Sequence, residues 1–137
     1  LVSPNKIFMG EKDFQQYYLV KKFNKYRYKT KIVMCSTVRS ANKIALSSRN
    51  FLLNKNYLLT AGKIVKELLK TKEKISRVTN VVKYLDSIKK YLTIKYKIKI
   101  QYLELRNINS LKKTNTLKNS KIFIAFYINK VRLIDNL

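Results

Sequence analysis

Three consecutive segments near the start of the chain have the order strand, helix, strand, and this order restricts the fold more than any other feature. Residues 6–9 are predicted as the end of a strand that stops at Gly10, residues 13–26 have the apolar spacing of a helix, and residues 30–35 form a second strand. A unit of this kind has parallel strands and a helix that crosses one face of the sheet. The sequence therefore predicts an α/β fold.

The remainder of the chain changes to two helices followed by three strands. Asn54 is a suitable N-cap for the first of these helices, and Asn129 and Lys130 form a two-residue hairpin connection before the last strand. The predicted helices and strands are residues 55–70, 76–91, 98–106, 121–128 and 131–135. The change of order near residue 38 divides the chain into two predicted domains, 1–37 and 38–137.

Apolar spacing also predicts which side chains are buried. In strand 98–106 the apolar residues change phase partway along, which suggests that burial shifts from one face to the other. Cys35, inside an apolar strand, is predicted as a small buried hydrophobic residue. The predicted core positions of the three helices are Phe14, Tyr17, Tyr18, Phe23, Leu58, Ala61, Ile64, Val65, Leu68, Val78, Val81, Val82, Leu85, Ile88 and Leu92.

The charge of the chain is extreme, but its distribution is uniform. Among 137 residues, 31 are Lys or Arg and only 7 are Asp or Glu, a net charge of +24. Lys, Asn, Ile and Tyr are abundant while Gly and Pro are scarce, as expected of an AT-rich coding sequence. A single Cys excludes an internal disulfide, no apolar run is long enough to span a bilayer, and no signal peptide is visible. These features predict a cytoplasmic protein without a membrane partner.

Two polar stretches follow the predicted parallel strands. Residues 36–50 contain Ser47 and Ser48 followed at once by Arg49, whose planar guanidinium matches phosphate oxygens two at a time. Loops at the carboxyl ends of strands are where open α/β sheets bind nucleotides, and the topology should bring this loop beside the one that follows Gly10. The alternative is that these residues are an ordinary polar segment that precedes a helix and binds no ligand.

The second stretch, residues 10–16, reads Gly-Glu-Lys-Asp-Phe-Gln-Gln. Gly10 before a helix lets a ligand approach the backbone, and a helix N-terminus favours an anion. Lys12 offers a point charge for phosphate, Asp13 can accept hydrogen bonds from ribose hydroxyls, and Gln16 lies one turn further on. A capped amphipathic helix with solvated charges is the alternative. Glu11 and Asp13 are two of only seven acids, which argues against chance placement.

Four segments together resemble the pantothenate synthetase family. They are Gly-Glu-Lys-Asp-Phe-Gln-Gln (10–16), Thr-Val-Arg (37–39), Ala-Leu-Ser-Ser-Arg-Asn (45–50) and Arg-Leu-Ile-Asp-Asn-Leu (132–137). They occur in the family's order and near its spacing, and the resemblance covers essentially the whole chain but only the C-terminal half or so of a full-length enzyme. The family is related to class I aminoacyl-tRNA synthetases.

The resemblance implies a fold and an activity. Residues 1–37 would be the C-terminal part of a Rossmann-like nucleotidyltransferase domain that binds ATP, and residues 38–137 a small α+β domain with two helices and about three antiparallel strands. The enzyme would condense pantoate with β-alanine through a pantoyl adenylate, releasing AMP and pyrophosphate, with Mg²⁺ beside the phosphates and a homodimer in the full-length protein. The family histidines would lie upstream, so this chain would hold no catalytic residue and would be inactive alone.

The resemblance also implies contacts for individual residues. Val38 would hold the adenine through its backbone, Gln16 would bind pantoate, and Leu46–Arg49 would stand where relatives have a mobile Lys-Met-Ser-Lys-Ser loop. The ATP contacts implied by the resemblance are Gly10, Glu11, Lys12, Asp13, Val38, Leu46, Ser47, Ser48 and Arg49.

The chain departs from the family pattern at turns. Residues 39–43 read Arg-Ser-Ala-Asn-Lys where relatives have Arg-Glu-Ala-Asp-Gly, and Asn129 and Lys130 replace glycines expected in the final hairpin. Two alternatives stay open. One is a small basic RNA-binding or organellar ribosomal protein that uses the Tyr-rich basic segments 17–29 and 91–102; the other is a decayed gene product that keeps the fold without activity.

Overall fold

The computed structural model describes residues 4–27 and 29–137. The chain divides into two compact units, Leu1–Val38 and Arg39–Leu137, one residue beyond the predicted boundary. Short 3-10 turns occupy Glu11–Asp13, Ser48–Leu52 and Ile75–Arg77. The helices and strands, in chain order, are β1 (Lys6–Gly10), α1 (Phe14–Arg27), β2 (Lys31–Cys35), α2 (Lys55–Lys74), α3 (Val81–Tyr96), β3 (Lys99–Asn107), β4 (Ser120–Ile128) and β5 (Val131–Asn136).

The first unit is the predicted β-α-β arrangement. Strands β1 and β2 pair in parallel, from Lys6 opposite Lys31 to Gly10 opposite Cys35, and α1 is the crossover between them. Both strands therefore end at the same edge of the sheet, and each is followed by one of the two polar stretches. The predicted α/β class is confirmed, because this parallel pair is followed by two helices and a three-stranded antiparallel sheet.

Two predicted core positions of the first unit are wrong. Cys35 is exposed. It is the last residue of β2, and among the described residues β2 pairs with β1 only, so no second neighbouring strand covers it. Phe23 is 54% exposed, whereas Phe14 is buried. The two phenylalanines are nine positions apart on α1, about two and a half helical turns, so they point to opposite sides. Tyr17 is half-buried against the Phe14 ring, at 5.7 Å between centroids.

The second unit has its core between one face of the sheet and two helices. The sheet order is β3-β4-β5 with both pairings antiparallel, and the inward face of β4 contributes Ile122, Ile124, Phe126 and Ile128. Helices α2 and α3 add the residues predicted from apolar spacing. Their fully buried members are Ala61, Ile64, Val65, Leu68, Val81, Leu85 and Leu92, whereas Leu58 and Ile88 pack against the core from its margin.

The helix boundaries agree with the prediction in one case and differ in the other. Asn54 caps α2 as predicted, with its side-chain oxygen 2.9 Å from the Tyr57 backbone nitrogen. Helix α3 begins five residues later than predicted, because a 3-10 turn and an extended Val78 separate it from α2 and Asn80 supplies the N-cap. Val82, predicted as buried, is 46% exposed because it lies beside the stripe that starts at Val81.

Two irregularities of the sheet are explained by the sequence. The pairing of β3 with β4 shifts between Ile100 and Tyr102, and this bulge moves burial from the phase of Ile100 to that of Leu103. The predicted hairpin connection is confirmed: Asn129 and Lys130 have φ values of 44° and 67°, both in the left-handed region that such a turn requires. Among the described residues, no helix has the length and apolar character needed to cross a membrane.

A carboxylate on β3 is held between two cations. Glu104 Oε2 accepts hydrogen bonds from Arg106 Nη2 and Nε at 2.6 and 2.9 Å, and Lys113 Nζ lies 2.8 Å from Oε1. Partial burial by itself would raise the pKa of Glu104, but the hydrogen bonds from Lys113 and Arg106 outweigh burial and hold the pKa below its ordinary value. The ionised carboxylate is therefore the form that the fold favours.

We expect Glu104→Gln to weaken the dependence of stability on acid pH. A carboxyl whose pKa is lower in the folded state contributes stability that is present above its unfolded pKa and is lost as pH falls through the folded value. The unchanged chain should therefore lose about 0.5–1 kcal/mol more than the variant between neutral pH and about pH 3, an amount limited by solvent screening. Urea unfolding at both pH values measures this difference. Glu73→Gln, at an exposed position on α2, is the control, and equal acid sensitivity of both variants would contradict the assignment.

Candidate functional site

The polar turn after β1 lies at the start of α1. Gly10 ends the strand in an extended conformation, Glu11–Asp13 form a 3-10 turn, and α1 follows at once. Lys12 is half-buried, and Gln16 is exposed in the first turn of α1. The backbone conformation of Gly10 does not demand glycine, and an added Cβ would meet no described atom within 4 Å. The space there is consistent with the predicted approach of a ligand.

The segment after β2, residues 36–38, has no regular secondary structure and ends the first unit. Val38, the predicted adenine contact, is 67% exposed. The next predicted contacts belong to the second unit, which begins at Arg39. The expected proximity of the two polar stretches joins residues of both units and stays a prediction.

The second unit opens with a tight turn. Arg39 and Ala45 form an antiparallel bridge, Ser40 N donates to Ile44 O at 2.9 Å, and Lys43 N donates to Ser40 O at 2.8 Å. Lys43 has a φ of 73°, in the left-handed region that favours glycine. Relatives are expected to have glycine at this position, so Lys43 keeps the turn at a conformational cost of about 1–2 kcal/mol.

The Asn42 side chain stabilises this turn and connects it to α2. Its Oδ1 accepts hydrogen bonds from Ser40 Oγ at 2.5 Å and from Ile44 N at 3.4 Å, while its Nδ2 donates to Leu58 O at 3.3 Å. The turn lies so close to α2 that a Cβ on Gly62 would be 2.9 Å from Asn42 O. A glycine inside the helix is therefore what permits the turn to pack there.

The hydroxyl–arginine loop, Leu46–Arg49, leads from this turn into a 3-10 turn. Ser47 is the N-cap: its Oγ accepts a hydrogen bond from Arg49 N at 3.3 Å, and its carbonyl accepts one from Asn50 N at 3.0 Å. Asn50 Nδ2 donates to Ala45 O at 3.2 Å, which ties the loop to the preceding turn. The sequence predicted a loop at this place, and the capped turn gives the loop a defined shape.

The loop presents its functional groups outward. Leu46 is 54% exposed, and Ser48 and Arg49 are also exposed. Arg49 Nη1 donates to Arg132 O on β5 at 3.2 Å, and the Arg132 Nε donates to Gln101 Oε1 at 2.9 Å. Arg49 is thus tied to the backbone of β5, and its guanidinium and the exposed Ser48 hydroxyl are donors that suit phosphate oxygens.

An open cavity of about 620 Å³ adjoins the hydroxyl–arginine loop. Its volume is within the range of small-molecule sites. Its lining includes Ser40, Asn42, Ile44, Leu46, Ser47, Ser48, Phe51 and Leu58.

Sequence reasoning missed one pair of site residues, Arg39 and Asp135. Their side chains form a bidentate ion pair, with nitrogen–oxygen distances of 2.6 and 2.9 Å, and the Asp135 side chain is 3% exposed. One signal could have found it: Asp135 is one of seven acids and lies in an apolar strand, where a buried carboxylate requires a cationic partner. Arg39 and Asp135 also stand in two of the four segments of the family resemblance.

The fold and the site define a class. A parallel β-α-β unit with polar turns at its strand ends is the building unit of Rossmann-like α/β proteins, and here a small α+β unit follows it. Within that class, the chain belongs to the pantoate-beta-alanine ligase family, whose model matches residues 1–137. The resemblance stated from the sequence is thereby confirmed, and the family is one of ligases.

Individual relatives agree with this assignment. Pantothenate synthetase of Francisella tularensis subsp. novicida is 34% identical over 139 residues, covering 99% of this chain and 44% of the relative. A crystal structure of pantothenate synthetase from Thermus thermophilus superposes with a TM-score of 0.88 at 27% identity, covering 99% of this chain and 50% of that one. The chain therefore spans about half the length of the relatives it matches.

A second solved structure was determined with ligands. Pantoate-beta-alanine ligase from Francisella tularensis, complexed with beta-gamma ATP and beta-alanine, has a TM-score of 0.69 at 35% identity, covering 98% of this chain and 44% of that one. Family membership favours the ligase over the RNA-binding alternative, for which Tyr28 in the segment 17–29 lies outside the described residues. The individual ATP and pantoate contacts stay predictions.

Proposed function

We propose that this chain is the part of a pantoate–β-alanine ligase that holds the phosphates of ATP. The full enzyme condenses pantoate with β-alanine through a pantoyl adenylate and releases pyrophosphate and AMP. The observation that carries the proposal is the exposed hydroxyl–arginine loop, held on the edge of β5 by Arg49. Family membership and the Francisella neighbour complexed with beta-gamma ATP and beta-alanine support it.

Each proposed contact has a chemical reason. In the second unit, Ser48 and Arg49 donate hydrogen bonds to phosphate oxygens, while Ser47 shapes the turn that presents them. In the first unit, Lys12 adds a positive charge at the start of α1, and Asp13 accepts hydrogen bonds from ribose hydroxyls. Val38, through its backbone, holds the adenine. Leu46 packs against the nucleotide, and the Gly10–Glu11 backbone lets it approach. Gln16 binds pantoate.

The proposed reaction requires alignment rather than a covalent enzyme intermediate. A carboxylate oxygen of pantoate attacks the α-phosphorus of ATP in line with the departing pyrophosphate, which forms the acyl adenylate. The amine of β-alanine then attacks the acyl carbon, AMP departs, and the nitrogen loses a proton. Donors fixed around the phosphates stabilise the negative charge that develops in the first step. This chain supplies those donors.

Magnesium fits this site only in company with ATP. No cluster of three or more metal-ligating side chains occurs in the part of the chain that the structure describes. Mg²⁺ is commonly bound by substrate phosphates, waters and one or two carboxylates. In the first unit, Glu11 and Asp13 are the two carboxylates of the turn that contains Lys12. When bound, the ion would neutralise phosphate charge. A homodimer and a cytoplasmic location stay predictions for the full-length protein.

We expect Arg49→Lys to weaken ATP binding by about tenfold, because lysine keeps the charge but loses the planar pair of donors. Stability should change by less than about 0.5 kcal/mol, since Arg49 is exposed and its folded-state hydrogen bond is to one backbone carbonyl. Titration of the 137-residue chain with ATP at physiological salt, followed by backbone amide shifts of Leu46–Arg49, measures the affinity.

The control for this prediction is Arg77→Lys, an exposed arginine in the turn after α2. A chain of net charge +24 attracts any polyanion, so only a loss of affinity specific to Arg49 supports the site. Equal affinities of the two variants, or ATP-induced shifts spread over the whole chain, would show that Arg49 is a solvated loop residue.

A further inference from the structure

An ion pair between the half-buried Arg39 and the buried Asp135 joins the start of the second unit to its last strand. Arg39 Nη1 and Nη2 donate to the two Asp135 carboxylate oxygens at 2.6 and 2.9 Å. The same guanidinium donates to Lys43 O at 3.0 Å and to Asn136 O at 3.3 Å. Asp135 Oδ1 accepts a further hydrogen bond from Asn136 N at 2.8 Å. A carboxylate that is 3% exposed is thus saturated by charge and hydrogen bonds.

The segment 39–49 contacts β5 at both of its ends. The first support is the buried Arg39–Asp135 pair, and the second is the hydrogen bond from Arg49 to Arg132 O, three residues earlier on the same strand. β5 is an edge strand, so its outer side is available for these contacts. Between the two supports, the bridge from Arg39 to Ala45 closes the turn.

The two supports differ in strength. Breaking a buried, bidentate pair leaves an uncompensated charge in the interior, which is strongly unfavourable. Exchanging one exposed N–H···O contact for water or for a phosphate oxygen changes little in free energy. The Arg39 end is therefore fixed, while the Arg49 end can be released when a better acceptor is offered.

We infer that Arg39 and Asp135 are positioning residues for the hydroxyl–arginine loop. They fix the start of residues 39–49 on β5, so that Arg49 can exchange the Arg132 carbonyl for a phosphate group without displacement of Ser47 and Ser48. The inference rests on the proposed function for its ligand. The claim that the ion pair orders the loop does not depend on ATP.

Hydrogen exchange of backbone amides in the 137-residue chain tests whether the ion pair orders the loop. Arg39→Lys keeps the positive charge but loses the planar pair of guanidinium donors. Asp135→Asn keeps the size of the side chain and one oxygen acceptor but removes the negative charge. In both variants we expect amides of residues 40–50 to exchange about tenfold faster, while those of β4 change by less than about twofold. The matched control is Arg106→Lys, which disturbs an arginine–carboxylate pair on β3, where both hydrogen bonds go to one oxygen of Glu104, and should leave residues 40–50 unchanged.

Equal acceleration in β4 and in residues 40–50 would overturn the inference, since it would show a general contribution to stability. Unchanged exchange in residues 40–50 would overturn it as well. If Arg39→Lys does not fold, Asp135→Asn decides by the same criterion.

A second measurement connects the pair to the ligand. ATP titration of Arg39→Lys should show affinity reduced by about three- to tenfold, and unchanged affinity despite faster loop exchange would overturn the positioning role. If the unchanged chain shows no ATP-induced shifts at Leu46–Arg49, the proposed function fails. The exchange result then still decides whether the ion pair orders the loop.

Discussion

A polypeptide of these 137 residues is expected to catalyse no pantoate-dependent exchange of labelled pyrophosphate into ATP. It contains no histidine and spans 44% of the length of a typical relative. Holding phosphates through Ser48 and Arg49 does not align the α-phosphorus with the attacking carboxylate. Such alignment contributes up to about 7–11 kcal/mol of the barrier reduction in well-oriented reactions. Exchange should therefore be indistinguishable from a blank without protein.

Adding the N-terminal half of a pantothenate synthetase as a separate chain provides the informative comparison. Some exchange should return if the two pieces associate, and Arg49→Lys in the 137-residue chain should then lower it. Exchange above the blank by the 137-residue chain alone would mean that the catalytic groups lie within it, contrary to the proposal.

Gly62→Ala is expected to destabilise the second unit by about 1–3 kcal/mol, as overpacking usually does. Alanine inside a helix ordinarily stabilises by about 1 kcal/mol relative to glycine. Here the new Cβ would lie 2.9 Å from the backbone oxygen of Asn42 and 3.0 Å from its Cβ, so the turn must move. The overlap is with backbone rather than with the end of a flexible side chain, and the clash therefore outweighs the helix preference. Urea unfolding measures the change.

The other glycine of the chain is the matched control. Gly10→Ala adds a methyl group where no described atom lies within 4 Å, at a backbone conformation that alanine adopts readily. Its stability should be unchanged or slightly higher, by about 0.5 kcal/mol. A loss of stability in Gly10→Ala equal to that in Gly62→Ala would contradict the packing argument.

Local patterns predicted most elements of the fold, and the errors occurred where tertiary packing decides. The Asn54 cap and the Asn129–Lys130 hairpin follow from rules that involve few neighbouring residues. The predicted start of α3 was wrong because the apolar spacing continues back to residue 78, where the 3-10 turn Ile75–Arg77 and an extended Val78 interrupt the helix. The exposure of Cys35 depends on which elements cover β2, which no residue near Cys35 encodes.

The candidate site was predictable in its residue types but not in its supports. Ser47, Ser48 and Arg49 are recognisable because hydroxyls beside a guanidinium have a chemical meaning at a strand end. The partnership of Arg39 with Asp135 spans 96 positions. Only the folded second unit brings β5 beside the turn that contains Arg39. The role of Gly62 was also out of reach, since nothing in α2 itself indicates that Asn42 packs against it.

The turns of this chain have a consequence for its stability. Among the described residues, every position with positive φ carries a residue other than glycine; they are Lys43, Lys97, Leu111, Asn119, Asn129 and Lys130. Asparagine adopts this conformation readily, but lysine and leucine do so at a cost of about 1–2 kcal/mol each. The turns of the second unit therefore carry backbone strain at Lys43, Lys97, Leu111 and Lys130. Relief of this strain is a route by which the thermal tolerance of the second unit can be raised at its turns, without any change to its core.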